Sequence, residues 1–141
     1  MARVFWDTNL FIYLFEQHPL HWEKVRDLWT SMRSRGDSLL TSTMTVGEIL
    51  SKPLLSNRHA VYREYIGFFK SGDVTVVPFD FEAALKFAEI RRDTRIRQPD
   101  AIQLACAAHA GTDLFLTHDD GLRGRVVEGV TIITSLARNP F

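Results

Sequence analysis

The segment Val4-Phe5-Trp6-Asp7-Thr8-Asn9 determines how the rest of the chain is interpreted. Its three leading apolar residues predict a buried strand, and a short helix is expected to begin at about Asn9. The same alternation of a short apolar strand with a helix continues along the chain. Further strands are expected at 38–41, 74–77, 114–116 and 130–133, and further helices at about 20–35, 45–53, 57–70, 80–90 and 99–110.

Local signals predict where several of these helices begin and end. Gly36 and Gly111 are expected to end helices, because glycine readily adopts the left-handed conformation found there. Asp80 is expected to cap a helix start and Pro99 to open the next helix. Pro53 should break the helix that begins near Thr45, since proline lacks a backbone N–H.

Strands separated by helices predict an α/β fold with a parallel sheet and helices on both faces. We expect all 141 residues to form one domain, because this length suits a single core. In such sheets, ligands bind beyond the carboxyl ends of the strands. Functional residues should therefore follow strands directly or lie at the starts of the helices that come next.

Composition limits the cellular setting and the partners. Apolar residues make up 45% of the chain, but no run approaches the roughly 18 residues needed to span a membrane. Asp7 comes too early for a signal peptide, so the cytoplasm is the expected location. Cys106 is the single cysteine, which excludes an internal disulfide. The formal net charge is zero, so a nucleic acid would have to be held by local patches.

Four acids are expected at one edge of the predicted sheet. Asp7 follows the first strand and Asp119 closely follows the fourth. Glu48 lies in the first turns of the helix after the second strand, and Asp100 in the first turn of the helix before the fourth. If the first and fourth strands are neighbours, the sheet brings Asp7 and Asp119 together, and the two helix-borne acids can face them.

Four carboxylates in one cleft repel one another and stay ionised only if a positive charge joins them. No Lys or Arg is expected beside any of the four within its local motif. Mg²⁺ and Mn²⁺ prefer oxygen ligands, and such a site suits phosphoryl chemistry. The sequence therefore predicts a divalent metal at these acids.

Each acid also has a purely structural interpretation. Asp7 could cap the short helix after it. Thr45-Val46-Gly47-Glu48 matches a capping box, in which Glu48 would stabilise only the helix start. Asp100 could act on the helix dipole, and Asp119 could belong to a turn. These interpretations do not explain why all four acids fall at one edge of the sheet.

The sequence resembles the PIN-domain family, in particular the VapC-type toxin ribonucleases, over essentially its whole length. Four motifs carry the resemblance in the family's order, and the third is the most specific. They are Asp7-Thr8-Asn9, Thr45-Val46-Gly47-Glu48-Ile49-Leu50, Pro99-Asp100-Ala101-Ile102-Gln103-Leu104-Ala105 and Leu116-Thr117-His118-Asp119.

The resemblance implies strand order 3-2-1-4-5 and Mg²⁺ or Mn²⁺ held by the same four acids, Asp119 being favoured over Asp120. It implies an endoribonuclease that leaves 5′-phosphate and 3′-hydroxyl ends. Asn9 and Thr117 would orient the ligands or their waters. The resemblance also implies a homodimer and neutralisation by a VapB-type antitoxin.

Several alternatives stay open. The chain could be a catalytically silent PIN-fold binding module, a PIN nuclease outside a toxin–antitoxin system, or a nuclease that cuts DNA. A phosphatase of similar topology is disfavoured, because Asn9 stands where its second Asp would be. A receiver domain is disfavoured because 132–135 offer no Lys.

Other polar and aromatic residues have a functional and a structural interpretation. The arginine cluster at 91–97 could hold RNA phosphates or simply end a helix. His118 is expected to be solvated surface, and His18 and His21 lack a metal-ligand context. The aromatic residues Trp22, Trp29, Phe68 and Phe69 are expected in the core or a dimer interface.

Overall fold

The computed structural model describes residues 1–138, except for the side chain of Asp120. Residues 139–141, which complete the predicted domain, lie outside the described part. The strands are β1 Arg3–Trp6, β2 Ser38–Ser42, β3 Thr75–Val77, β4 Thr112–Thr117 and β5 Val130–Ser135. The helices are α1 Thr8–Phe15, α2 Trp22–Arg35, α3 Thr43–Leu55, α4 His59–Phe69, α5 Phe81–Ile90 and α6 Gln98–Ala110, with 3-10 turns at Asp120–Leu122 and Leu136–Arg138.

The five strands form one sheet in the order β3-β2-β1-β4-β5, and every pair is parallel. This confirms the predicted order. β1 lies at the centre, with Phe5 paired to Leu40 on one side and to Phe115 on the other. Because all strands run the same way, the residues after β1, β2 and β4 come out at one edge.

Helices cover both faces of the sheet, as predicted. Val4 and Trp6 point to one face, where they pack with residues of α1, α2, α3 and α4. Phe5 points to the other face and packs with α5 and α6. Trp29, Phe68 and Phe69 join the first of these cores, which confirms their assignment to the core. Cys106 is fully buried in α6.

Most helix ends agree with the prediction, but the end predicted for α3 at Pro53 does not. Gly36 and Gly111 end α2 and α6 with φ of +74° and +73°, and Asp80 caps α5 by accepting from the N–H of Ala83. Pro53 lies inside α3 rather than ending it. Its missing N–H removes one backbone hydrogen bond, and its side chain is buried two residues before α3 ends at Leu55.

No helix within residues 1–138 is long and apolar enough to cross a membrane.

Candidate active site

The sheet itself positions Asp7. Its backbone N–H donates to the carbonyl of Leu116 at 3.1 Å, which continues the pairing of β1 with β4. Oδ2 accepts hydrogen bonds from the Thr117 hydroxyl at 2.5 Å and from the N–H of His118 at 3.4 Å. Asp7 stands at the N-cap position of α1, but its carboxylate turns to β4 and makes no side-chain capping bond.

The surroundings of Asp7 disfavour its negative charge. The pKa of Asp7 is raised from 3.8 to about 6, mainly by burial and in smaller part by the charge of Asp100. The hydroxyl of Thr117 and the nearby N–H groups of His118 and Asn9 act in the opposite direction and lower the pKa. Oδ1 of Asp7 is buried and has no hydrogen-bond partner among the described residues. A cation at this oxygen would satisfy it and stabilise the ionised carboxylate.

Glu48 lies on α3 and is exposed to solvent. Its Oε1 accepts a hydrogen bond from the hydroxyl of Thr8 at 2.6 Å, which ties it to the residue after Asp7. The capping-box interpretation is wrong. The N-cap of α3 is Ser42, whose side chain accepts from the N–H of Thr45, so Glu48 lies too far into the helix to cap it.

Asp100 lies in the first turn of α6 and is paired with an arginine. Arg97 Nε lies 3.1 Å from Oδ2 of Asp100, whose side chain is 17% exposed. The expectation of no basic residue covered only the motif around each acid, and Arg97 lies just before the motif of Asp100. One helical turn brings residues i and i+3 together, so an arginine does stand beside Asp100.

Asp119 has different surroundings from the other three acids. Its Oδ1 accepts a hydrogen bond from the N–H of Gly121 at 2.8 Å, as expected for a turn residue. Its own N–H donates to the Thr117 hydroxyl, the group that bonds Asp7. The cleft lined by the other three acids does not include Asp119 among its lining residues. The side chain of Asp120, the alternative at this position, lies outside the described residues.

One cleft gathers three of the predicted acids from three separate elements. Its volume is about 340 Å³, and Asp7, Glu48 and Asp100 line it together with Asn9 and Arg97. Thr117 is buried beneath the cleft and holds Asp7. The two residues predicted to assist the ligands thus lie at the site, one on its wall and one under it.

A buried polar network that the sequence motifs did not predict lies under this cleft. Gln103, 4% exposed, donates through Nε2 to Thr45 at 2.7 Å and to Thr8 at 3.2 Å. Its Oε1 accepts from Ser42 at 2.5 Å. Thr8 in turn donates to Glu48, so Gln103 supports the contact that holds Glu48. A signal was present: Gln103 is the one buried polar side chain in α6, three residues after Asp100.

Replacing Gln103 with Leu should destabilise the protein by about 1–3 kcal/mol. The change removes the acceptor of the buried Ser42 hydroxyl and a donor to the buried Thr45 hydroxyl, and a buried group that loses such a bond costs about that much. Urea unfolding of the two proteins measures the difference. Gln98→Leu is the matched control, because Gln98 is exposed at the start of the same helix. Equal losses in both variants would contradict a special role for the network.

The chemical type of the side chains in the cleft fits a hard divalent ion. Three carboxylates share a cleft, and the buried Oδ1 of Asp7 has no described partner. Oxygen ligands of this type are those that Mg²⁺ and Mn²⁺ prefer. In the arrangement shown, no three acidic, His or Cys side chains among those described converge closely enough to coordinate one ion. Thr8 holds Glu48 and Arg97 holds Asp100, so these two contacts would have to open.

The arginines before α6 are largely engaged by neighbours. Arg95 pairs with Asp93, which also pairs with Arg125 from a later part of the chain, and Arg91 donates to the carbonyl of Ile96. Arg97 is the member of this cluster that lines the acidic cleft. The cluster is thus mainly structural, with one cation at the site.

The chain matches the model of a known protein family. The PIN domain family model matches residues 4–125, a range that contains all four predicted acids. No curated protein matches the chain in sequence.

Chains from three toxin–antitoxin structures share the fold. The VapBC2 structure from Rickettsia felis, bound to a DNA fragment from its promoter, matches with 13% identity, TM-score 0.73, and coverage of 94% of this chain and 97% of that one. DNA-bound VapBC from Salmonella typhimurium matches with 20% identity, TM-score 0.68, and coverage of 96% of this chain and 99% of that one. A toxin–antitoxin complex from Klebsiella pneumoniae matches with 18% identity, TM-score 0.65, and coverage of 90% of this chain and 94% of that one.

Proposed function

The chain belongs to the PIN domain family, and on that premise we propose that it is a metal-dependent endoribonuclease. Residues 1–141 form its nuclease domain. The observation that carries this proposal is the shared cleft of Asp7, Glu48 and Asp100, together with the unpartnered buried oxygen of Asp7. Asp119, adjacent in the chain to the residues that hold Asp7, is the fourth proposed ligand.

The residues of the cleft have distinct tasks in this proposal. A bound Mg²⁺ or Mn²⁺ would supply an activated water and neutralise charge on the phosphate. Thr117 fixes the carboxylate of Asp7 through a 2.5 Å hydrogen bond to Oδ2, which leaves Oδ1 for an ion. Thr8, which accepts a hydrogen bond from Gln103, holds Glu48 at the rim until an ion binds. Hydrolysis by water leaves a 5′-phosphate and a 3′-hydroxyl.

We further propose that this nuclease is the toxin of a VapBC-type pair in the cytoplasm. Its substrate would be RNA, its partner a VapB-type antitoxin, and its active form a homodimer. The fold shared with the VapBC structures supports this assignment. A nuclease of the same family outside a toxin–antitoxin pair would have the same cleft.

One observation favours a second candidate, a catalytically silent binding module. Asp100 is paired with Arg97, and no three acids of the described residues converge on one point. Calorimetric titration with Mn²⁺ distinguishes the two candidates. A silent module would show no Mn²⁺ binding that depends on Asp7, Glu48 and Asp100.

Removal of divalent metal should abolish cleavage of single-stranded RNA by this protein. EDTA deprives the carboxylates of the ion that supplies the activated water, and added Mg²⁺ or Mn²⁺ should restore cleavage. Sequencing of the RNA ends should show 5′-phosphates. Cleavage that persists in EDTA, or that yields 2′,3′-cyclic phosphates, would contradict the proposed chemistry. Single-stranded DNA of the same sequence tests the substrate class.

A further inference from the structure

A second pocket lies beside the acidic cleft, at the carboxyl ends of β4 and β5. Its volume is about 230 Å³, and its polar lining consists of His21, Lys24, His118 and Ser135. His118 separates the two sites. Its backbone N–H donates to Oδ2 of Asp7, while the same residue lines the second pocket. Thr117, which holds Asp7, is paired in the sheet with Ser135.

Three histidines pack on one tyrosine, and two of them, His21 and His118, line this pocket. The ring of Tyr13 lies 4.9, 4.6 and 5.4 Å from the rings of His18, His21 and His118, measured between centroids. His18 and His21 stack on each other at 4.9 Å. Since Tyr13 is buried, the imidazoles have a fixed support. The expectation that His118 is merely solvated surface is therefore incomplete.

The groups whose charges lower the pKa of His21 are all bases. Burial lowers the pKa of His21, and repulsion from His18, His118 and Lys24 lowers it further. Lys24 is exposed, and none of the ion pairs recorded among the described residues involves it. An anion in the pocket would turn this repulsion into attraction.

The Ser135 hydroxyl provides an independent observation. Ser135 is 1% exposed, and its Oγ is buried with no hydrogen-bond partner among the described residues. Buried hydroxyls nearly always have a partner, so an unpartnered one at a pocket wall is available to donate to a bound group. A hydroxyl, an ammonium and imidazole N–H groups are all donors, and phosphate oxygens are acceptors.

We propose that this pocket binds a phosphate of the RNA strand, next to the phosphodiester held at the acidic cleft. The inference rests on the proposed function, because it assigns a further position on the same substrate. A metal does not suit the pocket. Among the described residues, the pocket is lined by the cation Lys24 and by no carboxylate, and His18 and His21 stack face to face.

The test measures RNA binding separately from cleavage. All proteins carry Asp7→Asn, so that a short fluorescent single-stranded RNA is not cut, and its Kd is measured by anisotropy over a range of salt. Lys24→Ala should weaken binding several-fold and reduce the slope of log K against log salt by roughly 0.7, the value for one phosphate contact. Ser135→Ala should weaken binding about ten-fold. Lys70→Ala, an exposed lysine at the end of α4, is the matched control and should change neither quantity.

A second arm locates the contact on the strand. Single phosphates of the RNA are replaced in turn by uncharged methylphosphonates. At one linkage, Lys24→Ala should have no further effect, because the charge that it contacts is already gone. If Lys24→Ala and Ser135→Ala bind like the Asp7→Asn protein, the pocket is not a phosphate site, and cleavage by the unmodified chain still tests the proposed function. If the Asp7→Asn protein binds no RNA, the phosphate site is overturned whatever the cleavage assay shows.

Discussion

Asp7→Asn is expected to reduce RNA cleavage by at least about 100-fold, since losing a group that merely supports a metal ligand already costs 10- to 100-fold. The variant should nevertheless fold well. Asn keeps an oxygen that can accept from Thr117, and it removes a carboxylate that lies buried beside Asp100. Loss of activity and gain of stability are therefore expected together.

The gain in stability should depend on pH with a defined sign. The pKa of Asp7 is about 6 in the folded protein and 3.8 in the unfolded chain. Below about pH 3.8 the carboxyl is protonated in both states and has no effect on the free energy of unfolding. As pH rises from there through 6, the metal-free protein loses stability, by on the order of 2–3 kcal/mol in total. Asn does not titrate, so the variant avoids this loss.

Urea unfolding in EDTA at pH 5 and pH 7.5 measures the effect. The difference between Asp7→Asn and the unmodified protein should grow toward pH 7.5. Mn²⁺ should then stabilise the unmodified protein and not the variant, because ligands stabilise only the state that binds them. Asp27→Asn, at an exposed acid on α2, is the control. Cleavage at the unmodified rate by Asp7→Asn would show that the site is wrongly assigned.

The sheet and three of the acids were predictable because they depend on local patterns and one topological rule. Apolar strands alternate with helices, and parallel strands place their carboxyl ends together. Asp7 and the helix-borne acids Glu48 and Asp100 therefore had to meet once β1 and β4 were neighbours. The start of α3 was harder, because Ser42, Thr43 and Thr45 are all acceptable caps and local preference does not choose among them.

Contacts between residues far apart in sequence could not be read from the chain. Gln103 reaches Thr8 across 95 positions, and Thr117 reaches Asp7 across 110. Packing of whole elements sets such distances, and no motif encodes them. The same holds for the histidine pocket, whose residues His21 and His118 lie on different elements and looked unremarkable one by one.

Glu48→Gln should reduce cleavage by at least about ten-fold and leave the free energy of unfolding within about 0.5 kcal/mol of the unmodified protein. Gln retains an oxygen that can accept from Thr8, so the geometry at the rim persists while the charge is lost. Glu48 is exposed and does not cap α3, because Ser42 does. A structural role would give the opposite result, a loss of stability with cleavage unchanged.

Glu82→Gln is the matched control for this prediction. Glu82 is an exposed acid in the first turn of α5, where its charge can stabilise the helix dipole by a few tenths of a kcal/mol. The control should lose that small stability and keep full cleavage, so the two glutamates should behave in opposite ways. If Glu48→Gln instead cuts RNA at the unmodified rate, Glu48 is no ligand. Its bond to Thr8 would then serve only to fasten α3 to α1 beneath the cleft.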